Sequence, residues 1–349
     1  MSRRRTASTL VLALIALACA DGCSASGRAR DVAGDRRQRG ASRDAAALDN
    51  ADDGGVPEPP RVVAKPTLIG KQPRVFTKAS TRVLAQDAVN LYYGDTEDDG
   101  VYSMPKAGGN AVKIARHAPV AGAIALEADT VTWIASPGDA VLRASLRGGQ
   151  PVTLRDHGIF SDVATDGSDV YITEAIGAGG ALLKVTGNGP AARVATFDGA
   201  PRVVMADATH TYIVTPTKVL RIAHAKPEVE TIGTGSGFTF AEMDDAFVYI
   251  VAEDRRAGVI VKVAKAGGPL STIAQNVRNA PLEVAGNDLY FFDANRSQLL
   301  VAPTSGGEAR LVAEHDGLGA PSAIEADATT LYVATGSHES AVILAIDRK

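Results

Sequence analysis

The chain has 349 residues, of which 45% are hydrophobic and 22% charged, and its formal net charge is −4. This composition is typical of a globular protein with room for one large or two modest domains. The small acidic surplus excludes the basic surface that nucleic-acid binding requires, so no nucleic-acid partner is expected. The two cysteines, Cys19 and Cys23, precede the predicted folded region, which excludes disulfides and thiolate metal sites from that region.

The first 23 residues predict an export signal with a lipid-attachment site. Arginines occupy positions 3–5, and residues 10–18 form an apolar run that is too short to span a bilayer as a helix. Small residues then precede Cys19, as in a bacterial lipobox, although the usual leucine three positions earlier is absent. We expect acylation at Cys19. Lipidation at Cys23, or cleavage without acylation to give a secreted protein, are the alternatives.

Residues 24–61 change in composition to mostly Gly, Ala, Ser, Arg, Asp and Pro, without any aromatic residue. Such a stretch buries too little apolar surface to offset the entropy that folding costs. We therefore expect a disordered tether between a membrane anchor and a folded domain at residues 62–349. This arrangement places the domain in the cell envelope, either periplasmic or surface-exposed.

One motif recurs along the predicted domain. It consists of a short apolar run, an acidic residue, a few polar residues and then an apolar–aromatic pair. Seven copies follow one another at about 40 residues, which is the blade length of β-propellers. The copies centre on Leu91, Val131, Val170, Thr211, Val248, Leu289 and Leu331. The sequence therefore predicts an all-β, seven-bladed β-propeller with four antiparallel strands per blade.

The first copy shows how one blade is built. Its strands are predicted at residues 83–85, 91–93, 101–104 and 112–115. Gly108 and Gly109 precede the fourth strand, and a Gly-Gly pair is typical of hairpin turns that need positive φ. The last copy ends after its third strand, at residues 342–346. Because an open edge invites aggregation, we expect residues 74–77 to supply the missing strand and close the ring.

Two stretches of the repeat resemble known propeller families. Leu-Tyr-Tyr-Gly-Asp at residues 91–95 and Leu-Tyr-Phe-Phe-Asp at residues 289–293 look like the repeats of YWTD, NHL and TolB-type propellers. The resemblance covers residues 72–349 and implies the propeller fold. These families bind proteins, peptides, glycans or nucleic acids, and a few are hydrolases or lactonases. The resemblance therefore does not assign an activity.

The acidic residue of the motif occurs in six of the seven copies. These residues are Asp87, Glu127, Asp166, Asp207, Asp244 and Asp327, and the sixth copy has Ala285 instead. A functional ring of carboxylates is one interpretation. Repetition in nearly every blade favours a structural role, in which the side chain ends the first strand and binds turn amides. The tyrosines of the motif are likewise predicted to pack between blades.

Four histidines fall on connections that are predicted to share one face, which we call the loop face. It comprises the connections from a fourth strand to the next first strand and from a second to a third strand. The histidines are His117, His157, His315 and His338. They are candidate metal ligands or general bases, although polar loops also collect histidine without such a role. Residues 95–100 resemble half of a calcium loop, but Lys106 replaces the required glutamate, which favours a solvated hairpin tip.

The function expected from these observations is a non-enzymatic binding or scaffold module at the bacterial cell envelope. It would be a monomer that binds an envelope protein or another ligand on the loop face. No catalytic or cofactor-binding motif occurs, so no catalytic residue and no cofactor is assigned. The alternative is a metal-dependent hydrolase or lactonase of propeller type, which requires several carboxylates and histidines to converge on one ion in the channel. Convergence of the four histidines would favour this alternative.

Overall fold

The architecture is described here by a computed structural model. It describes residues 74–81, 83–116, 120–253, 258–277, 281–293, 296, 298–314, 321–335 and 341–348. These residues form 28 β-strands, arranged as seven antiparallel sheets of four strands each. The prediction of an all-β, seven-bladed propeller is therefore confirmed. The predicted export signal, both cysteines, the tether and the domain start at residue 62 lie outside the described residues and stay predictions.

Blades 1 to 3 each follow chain order from the inner to the outer edge of the sheet. Blade 1 contains β2 (Leu84–Gln86), β3 (Asn90–Asp95), β4 (Gly100–Pro105) and β5 (Val112–Arg116). Blade 2 contains β6 (Val120–Glu127), β7 (Thr130–Ala135), β8 (Ala140–Ser145) and β9 (Val152–Asp156). Blade 3 contains β10 (Phe160–Thr165), β11 (Asp169–Ile176), β12 (Gly179–Thr186) and β13 (Ala192–Asp198).

Blades 4 to 6 repeat this order, and blade 7 borrows its outer strand from the other end of the chain. Blade 4 contains β14 (Val203–Ala206), β15 (His210–Val214), β16 (Lys218–Ala223) and β17 (Val229–Thr234). Blade 5 contains β18 (Phe238–Met243), β19 (Phe247–Glu253), β20 (Gly258–Ala264) and β21 (Ser271–Val277). Blade 6 contains β22 (Leu282–Ala285), β23 (Asp288–Asp293), β24 (Gln298–Pro303) and β25 (Arg310–Glu314). Blade 7 contains β26 (Ala323–Ala326), β27 (Thr330–Thr335), β28 (Val342–Asp347) and β1 (Arg74–Lys78).

The first strands of the blades line the centre of the ring. Each contacts the first strands of both neighbouring blades, and β2 of blade 1 contacts β26 of blade 7, which completes the circle. The hydrophobic core lies between the blades: one cluster joins Val83 and Tyr92 of blade 1 to Ile124 and Trp133 of blade 2. Second strands pack on both faces, so they are almost continuously buried, as in β27.

The predicted closing strand is confirmed. β1 pairs antiparallel with β28, with Arg74 opposite Ala345 and Lys78 opposite Val342. The register shifts between Val75 and Thr77, so Phe76 is the extra residue of a β-bulge. The Phe76 ring meets the Tyr332 ring edge to face, with ring centroids 5.1 Å apart. The first described strand of the chain thus closes the blade that the last strands begin.

The described residues contain no α-helix. Within them there is accordingly no helix with the length and apolar character needed to cross a membrane.

Replacement of Phe76 tests how strongly the closing strand holds the ring. Phe76→Ala should lower the free energy of unfolding by about 2 kcal/mol, because it removes a half-buried ring from the blade 7 core. Val75→Ala is the matched control, since Val75 is 60% exposed on the same strand and should cost less than about 0.5 kcal/mol. Urea unfolding measures both. Equal effects of the two substitutions would contradict a structural role of the Phe76 ring.

Candidate functional site

The two faces of the ring carry different connections. On the loop face, the connections of blades 1 to 3 include residues 96–99, 136–139, 157–159 and 177–178. On the opposite face, which we call the turn face, turns join first to second strands and third to fourth strands. In blade 1 these turns are residues 87–89 and 106–111. Because connections on a rigid scaffold often carry binding residues, the loop face is the first place to seek a site.

Of the four candidate metal ligands, only His157 lies within the described residues. Its side chain is 93% exposed, and its Nε2 atom lies 3.7 Å from Oδ2 of Asp156. His117, His315 and His338 lie outside the described residues, so convergence of the four histidines stays a prediction. Across the part of the chain that the structure describes, no group of three His, Cys, Asp or Glu residues is placed to hold a metal ion.

The acidic hairpin tip of blade 1 uses its carboxylates for local contacts. Oδ1 of Asp95 accepts hydrogen bonds from the backbone amides of Glu97 and Asp98. The carboxylate of Asp98 accepts the Tyr102 hydroxyl and lies 2.9 Å from Nζ of Lys113. These contacts agree with the predicted hairpin tip and occupy the carboxylate of Asp98 with a lysine.

An exposed apolar patch lies on the loop face where blade 2 leads into blade 3. The side chains of Ile159 and Ile176 are 60% and 41% exposed. The two residues are neighbours, because the backbone amide of Ala175 donates to the carbonyl of Ile159 at 2.8 Å. A groove of about 310 Å³ adjoins Ile176 and is lined by Ile176, Gly179, Gly180, Arg193, Thr196, Phe197 and Asp198. We call these residues, together with Ile159, the blade 3 patch.

A glycine pair shapes the groove. A Cβ atom on Gly180 would lie 2.5 Å from the Phe197 ring, and one on Gly179 would lie 2.6 Å from the Phe197 carbonyl oxygen. Glycine at both positions therefore lets Phe197 pack flat on β12, where its ring is buried. The half-exposed guanidinium of Arg193 lies 3.7 Å from the buried carboxylate of Glu174. The groove thus combines the Phe197 ring with two charged side chains, Arg193 and the exposed Asp198.

The acidic residues of the repeat are structural, as predicted. In blade 3, Oδ1 of Asp166 accepts the backbone amides of Ser168 and Asp169, and Oδ2 accepts the Tyr171 hydroxyl at 3.0 Å. Burial alone would raise the pKa of Asp166, but these hydrogen bonds outweigh burial and lower it. The same amide contacts occur at Asp87, Asp207, Asp244 and Asp327. Blade 2 departs from the pattern, because its Glu127 pairs with Arg143 at 2.7 Å.

Sequence reasoning missed a set of contacts between blades on the turn face. In four seams, the side chain that follows the third strand of one blade reaches the acidic and tyrosine side chains of the preceding blade. We call these contacts clasps. They join Lys106 to Asp327 and Tyr332, His224 to Asp166 and Tyr171, Lys265 to Asp207 and Tyr212, and Arg348 to Asp288 and Tyr290.

A signal for the clasps exists in the sequence, but it requires the ends of the third strands to be aligned. The equivalent residues are Lys106, Leu146, Gly187, His224, Lys265, Thr304 and Arg348. Four of these seven residues have basic side chains. Each of the four lies close to an acidic residue of the preceding blade, which explains the basic character of the position. At His224, burial lowers the pKa, and the neighbouring Asp166 carboxylate opposes that shift.

The centre of the ring holds carboxylates that the motif search also missed. Glu242, Glu283 and Glu325 occupy the same position on the first strands of blades 5, 6 and 7, opposite Tyr249, Tyr290 and Tyr332. All three are buried, and burial raises the pKa of each, that of Glu325 to about 8. The signal in the sequence is a glutamate two residues before the acidic position of the motif.

The carboxylates of the channel also bind unpaired backbone amides. Oδ2 of Asp162 in blade 3 accepts the amide of Val204 in blade 4 at 2.7 Å. Oε1 of Glu283 in blade 6 accepts the amide of Ala326 in blade 7 at 3.2 Å. The first strand of each blade is an edge strand, so its inward amides need partners other than a neighbouring strand. The carboxylates supply them.

No protein-family model matches this chain, and comparison with curated protein sequences gave no significant match. Solved structures do resemble it. Virginiamycin B lyase from Staphylococcus aureus is 12% identical, with a TM-score of 0.62 over 80% of this chain and 99% of that chain. The computationally designed Ika8 protein is 14% identical, with a TM-score of 0.55 over 80% and 97%. The PQQ-bound aldose sugar dehydrogenase from Streptomyces coelicolor is 10% identical, with a TM-score of 0.50 over 81% and 99%.

The seven four-stranded sheets define the class of protein, a seven-bladed β-propeller, and the similarities to solved structures add no finer assignment. A lyase, a dehydrogenase and a designed protein all resemble this chain in fold, so the fold does not carry one activity from them to this chain.

The clasp between blades 4 and 5 provides a test of the turn-face contacts. Lys265→Met should lower the free energy of unfolding by about 2 to 3 kcal/mol at pH 7, because it leaves the Asp207 carboxylate without its cation, which lies 3.0 Å away. Hydrogen bonds and Lys265 lower the pKa of Asp207 despite burial, so this stability is present above the ordinary aspartate pKa and is lost as pH falls.

The difference between wild type and Lys265→Met should therefore shrink below about pH 4 in urea titrations. Lys226→Met is the control, because Lys226 pairs with Glu228 on the exposed surface and its loss should cost less than about 0.5 kcal/mol. A difference that persists unchanged at pH 2.5 would refute the ion pair as the cause.

Proposed function

We propose that this protein is a non-enzymatic binding module of the bacterial cell envelope, with its protein ligand seated on the blade 3 patch. The observation that carries the proposal is the pair of exposed isoleucines, Ile159 and Ile176, beside a groove of about 310 Å³. Contiguous exposed apolar surface on a soluble domain is typical of protein–protein contact sites. The propeller supplies a rigid base for it.

The composition of the patch indicates what kind of partner fits it. The isoleucines and the Phe197 ring would bury an apolar side chain of the partner, and the Arg193 guanidinium beside them would orient a carboxylate or backbone carbonyl. The half-exposed Arg193 guanidinium lies 3.7 Å from Glu174, so it remains accessible to a partner group. A partner segment meets these requirements if an apolar residue stands next to an acidic residue or next to a turn with a free backbone carbonyl.

Localisation in the cell envelope is part of the proposal. It rests on the positive and apolar segments at the start of the sequence and on Cys19, which follows the small residues of a lipobox-like site. A diacylglyceryl group together with an amide-linked acyl chain provides the two or more chains that stable anchoring requires.

Charge substitution within the blade 3 patch tests the proposed binding site. In cross-linking capture from envelope extracts, the Ile159→Asp, Ile176→Asp double variant should retain its specific partner at least about tenfold less than wild type. Two desolvated carboxylates would face apolar partner atoms, and a loss of about 1.4 kcal/mol already gives a factor of ten.

Val112→Asp is the matched control. Val112 is 60% exposed on β5, near the turn face, so its substitution should leave capture unchanged. The proposal would be refuted if the partner bound the double variant and wild type equally well while Val112→Asp weakened binding. That result would place the binding site near the turn face.

Lipidation is tested separately. Cys19→Ser should move the protein from the membrane fraction to the soluble fraction and abolish incorporation of radiolabelled palmitate, because the acylated residue is lost. Cys23→Ser should change neither result. Release by Cys23→Ser alone would show that Cys23 is the modified residue, and release by neither substitution would refute the lipid anchor.

A further inference from the structure

Three consecutive blades differ from the other four at one position in the channel. Glu242, Glu283 and Glu325 stand there in blades 5, 6 and 7, and no more than 5% of each residue is exposed. The equivalent residues of blades 1 to 4 are Ala85, Ala125, Ala164 and Met205. Burial of a carboxylate costs free energy, whereas burial of Ala or Met does not. The three glutamates therefore make this position less favourable for folding in blades 5, 6 and 7 than in blades 1 to 4.

Glu325 lies on the first strand of blade 7, at the seam with blade 1. Its Oε2 atom accepts a hydrogen bond from Nε2 of Gln86 at 3.1 Å, and the same Nε2 donates to the carbonyl of Ala326 at 2.6 Å. Oε1 of Glu325 is buried and has no hydrogen-bond partner. A neutral acid at this site loses far less solvation than a carboxylate with one unpaired oxygen.

The cations nearest to the cluster are engaged by other groups. Nζ of Lys106 donates to Oε1 of Gln86 and lies 3.4 Å from Oδ2 of Asp327, while its ammonium also faces the Tyr332 ring. Arg348, which influences Glu283, donates to the Tyr290 hydroxyl and lies 3.6 Å from Asp288. These two cations therefore leave most of the negative charge of the cluster uncompensated.

A further buried carboxyl group, whose own pKa is raised by burial, adds repulsion when it ionises. Asp162, on the first strand of blade 3, is fully buried and raises the pKa of Glu242. Glu325 raises the pKa of Glu242 more strongly than Asp162 does. Glu283 is affected in the same way by Glu325 and Glu242. Ionisation of one glutamate thus makes ionisation of the others harder, and full ionisation places like charges in a closed, poorly solvated channel.

We propose that Glu242, Glu283 and Glu325 form a proton-dependent latch in the channel, which holds blade 7 against blade 1 while the glutamates are protonated and loosens that seam when they ionise. Blades 7 and 1 share one hydrophobic cluster, and few polar side-chain contacts cross the seam between them. Besides Gln86 and Lys106, the hydroxyl of Ser322 donates to the carbonyl of Thr81 at 2.7 Å. Repulsion at Glu325 therefore acts directly on the contact between β26 of blade 7 and β2 of blade 1.

The direction of the pH effect follows from burial. Burial raises the pKa of each glutamate above 4.5, and that of Glu325 to about 8, so the folded state keeps protons that the unfolded chain releases. The stability of the seam is therefore fully present below about pH 4.5 and is lost as pH rises through about 8. Asp207 and His224 act in the opposite sense and below neutral pH, and Tyr92 has a pKa of about 12. Burial also raises the pKa of Asp162, which acts in the same sense as the glutamates, so comparison with Glu325→Gln between pH 7 and 9 separates the latch from Asp162.

The test combines melting temperature with hydrogen exchange at pH 6, 7, 8 and 9. In wild type, the melting temperature should fall by roughly 5 °C or more from pH 7 to 9. After correction for intrinsic rates, amides of β2 and β26 should exchange about tenfold faster at pH 9 than at pH 7, while those of β14 and β15 should not change. Glu325→Gln should at least halve both effects, and Glu308→Gln, at an exposed turn, should leave them as in wild type.

Glu242→Gln is the second variant if Glu325→Gln does not fold, because Glu242 lies away from the seam and should also reduce the pH effect. A wild-type melting temperature that is flat or rises between pH 7 and 9 would overturn the proposal, as would equal behaviour of Glu325→Gln and Glu308→Gln. Rescue of wild type at pH 9 by millimolar calcium or magnesium, absent in Glu325→Gln, would show that a cation rather than protons neutralises the cluster and would also overturn it.

Discussion

Antiparallel pairing of β1 with β28 is the interaction on which the ring depends. A propeller of seven blades has one joint that no peptide connection crosses, and here that joint is completed by five residues from the start of the described chain. Each other blade is held to its neighbours by two flanking seams and by a covalent link. Blade 7 gains its fourth strand only through this pairing, and the bulge at Phe76 directs a ring onto Tyr332.

The blades have the same arrangement of four strands, but the side chains at the contacts between blades differ. The seams that end blades 3, 4, 6 and 7 carry basic clasps on the turn face, from His224, Lys265, Arg348 and Lys106. At the channel position equivalent to Glu325, glutamates occur in blades 5, 6 and 7. Blade 3 instead carries the exposed isoleucines and the groove on the loop face. The clasps therefore lie on the turn face, opposite the blade 3 patch.

The fold was predictable from the sequence because each blade must form the same four strands from about 40 residues. In blades 1, 3 and 5 the tyrosine follows the acidic residue by five positions and donates its hydroxyl to that carboxylate, so this hydrogen bond is a local feature that a sequence pattern contains. Closure was predictable for a similar reason: residues 74–77 stand in the same place before the first strand of blade 1 as a fourth strand would. Repetition made these features visible.

The clasps and the channel glutamates were not predictable in the same way. Lys106 and Asp327 meet only because the ring is closed, and nothing local to either residue indicates the other. Glu242, Glu283 and Glu325 break the repeat, so a search for what recurs passes over them. The groove depends on how closely Phe197 approaches Gly180, which is a matter of three-dimensional packing. The one described histidine among the predicted ligands, His157, points into solvent.

The position of β1 has a mechanical consequence. In the proposed anchored protein, tension on the N-terminal segment reaches the propeller at Arg74, the first residue of the strand that closes the ring. The hydrogen bonds between β1 and β28 run across the strands, so a pull along β1 strains several of them together in shear rather than one after another. Because the proposed anchor is attached at this strand, the β1–β28 pairing that closes the ring also bears the tension from the membrane.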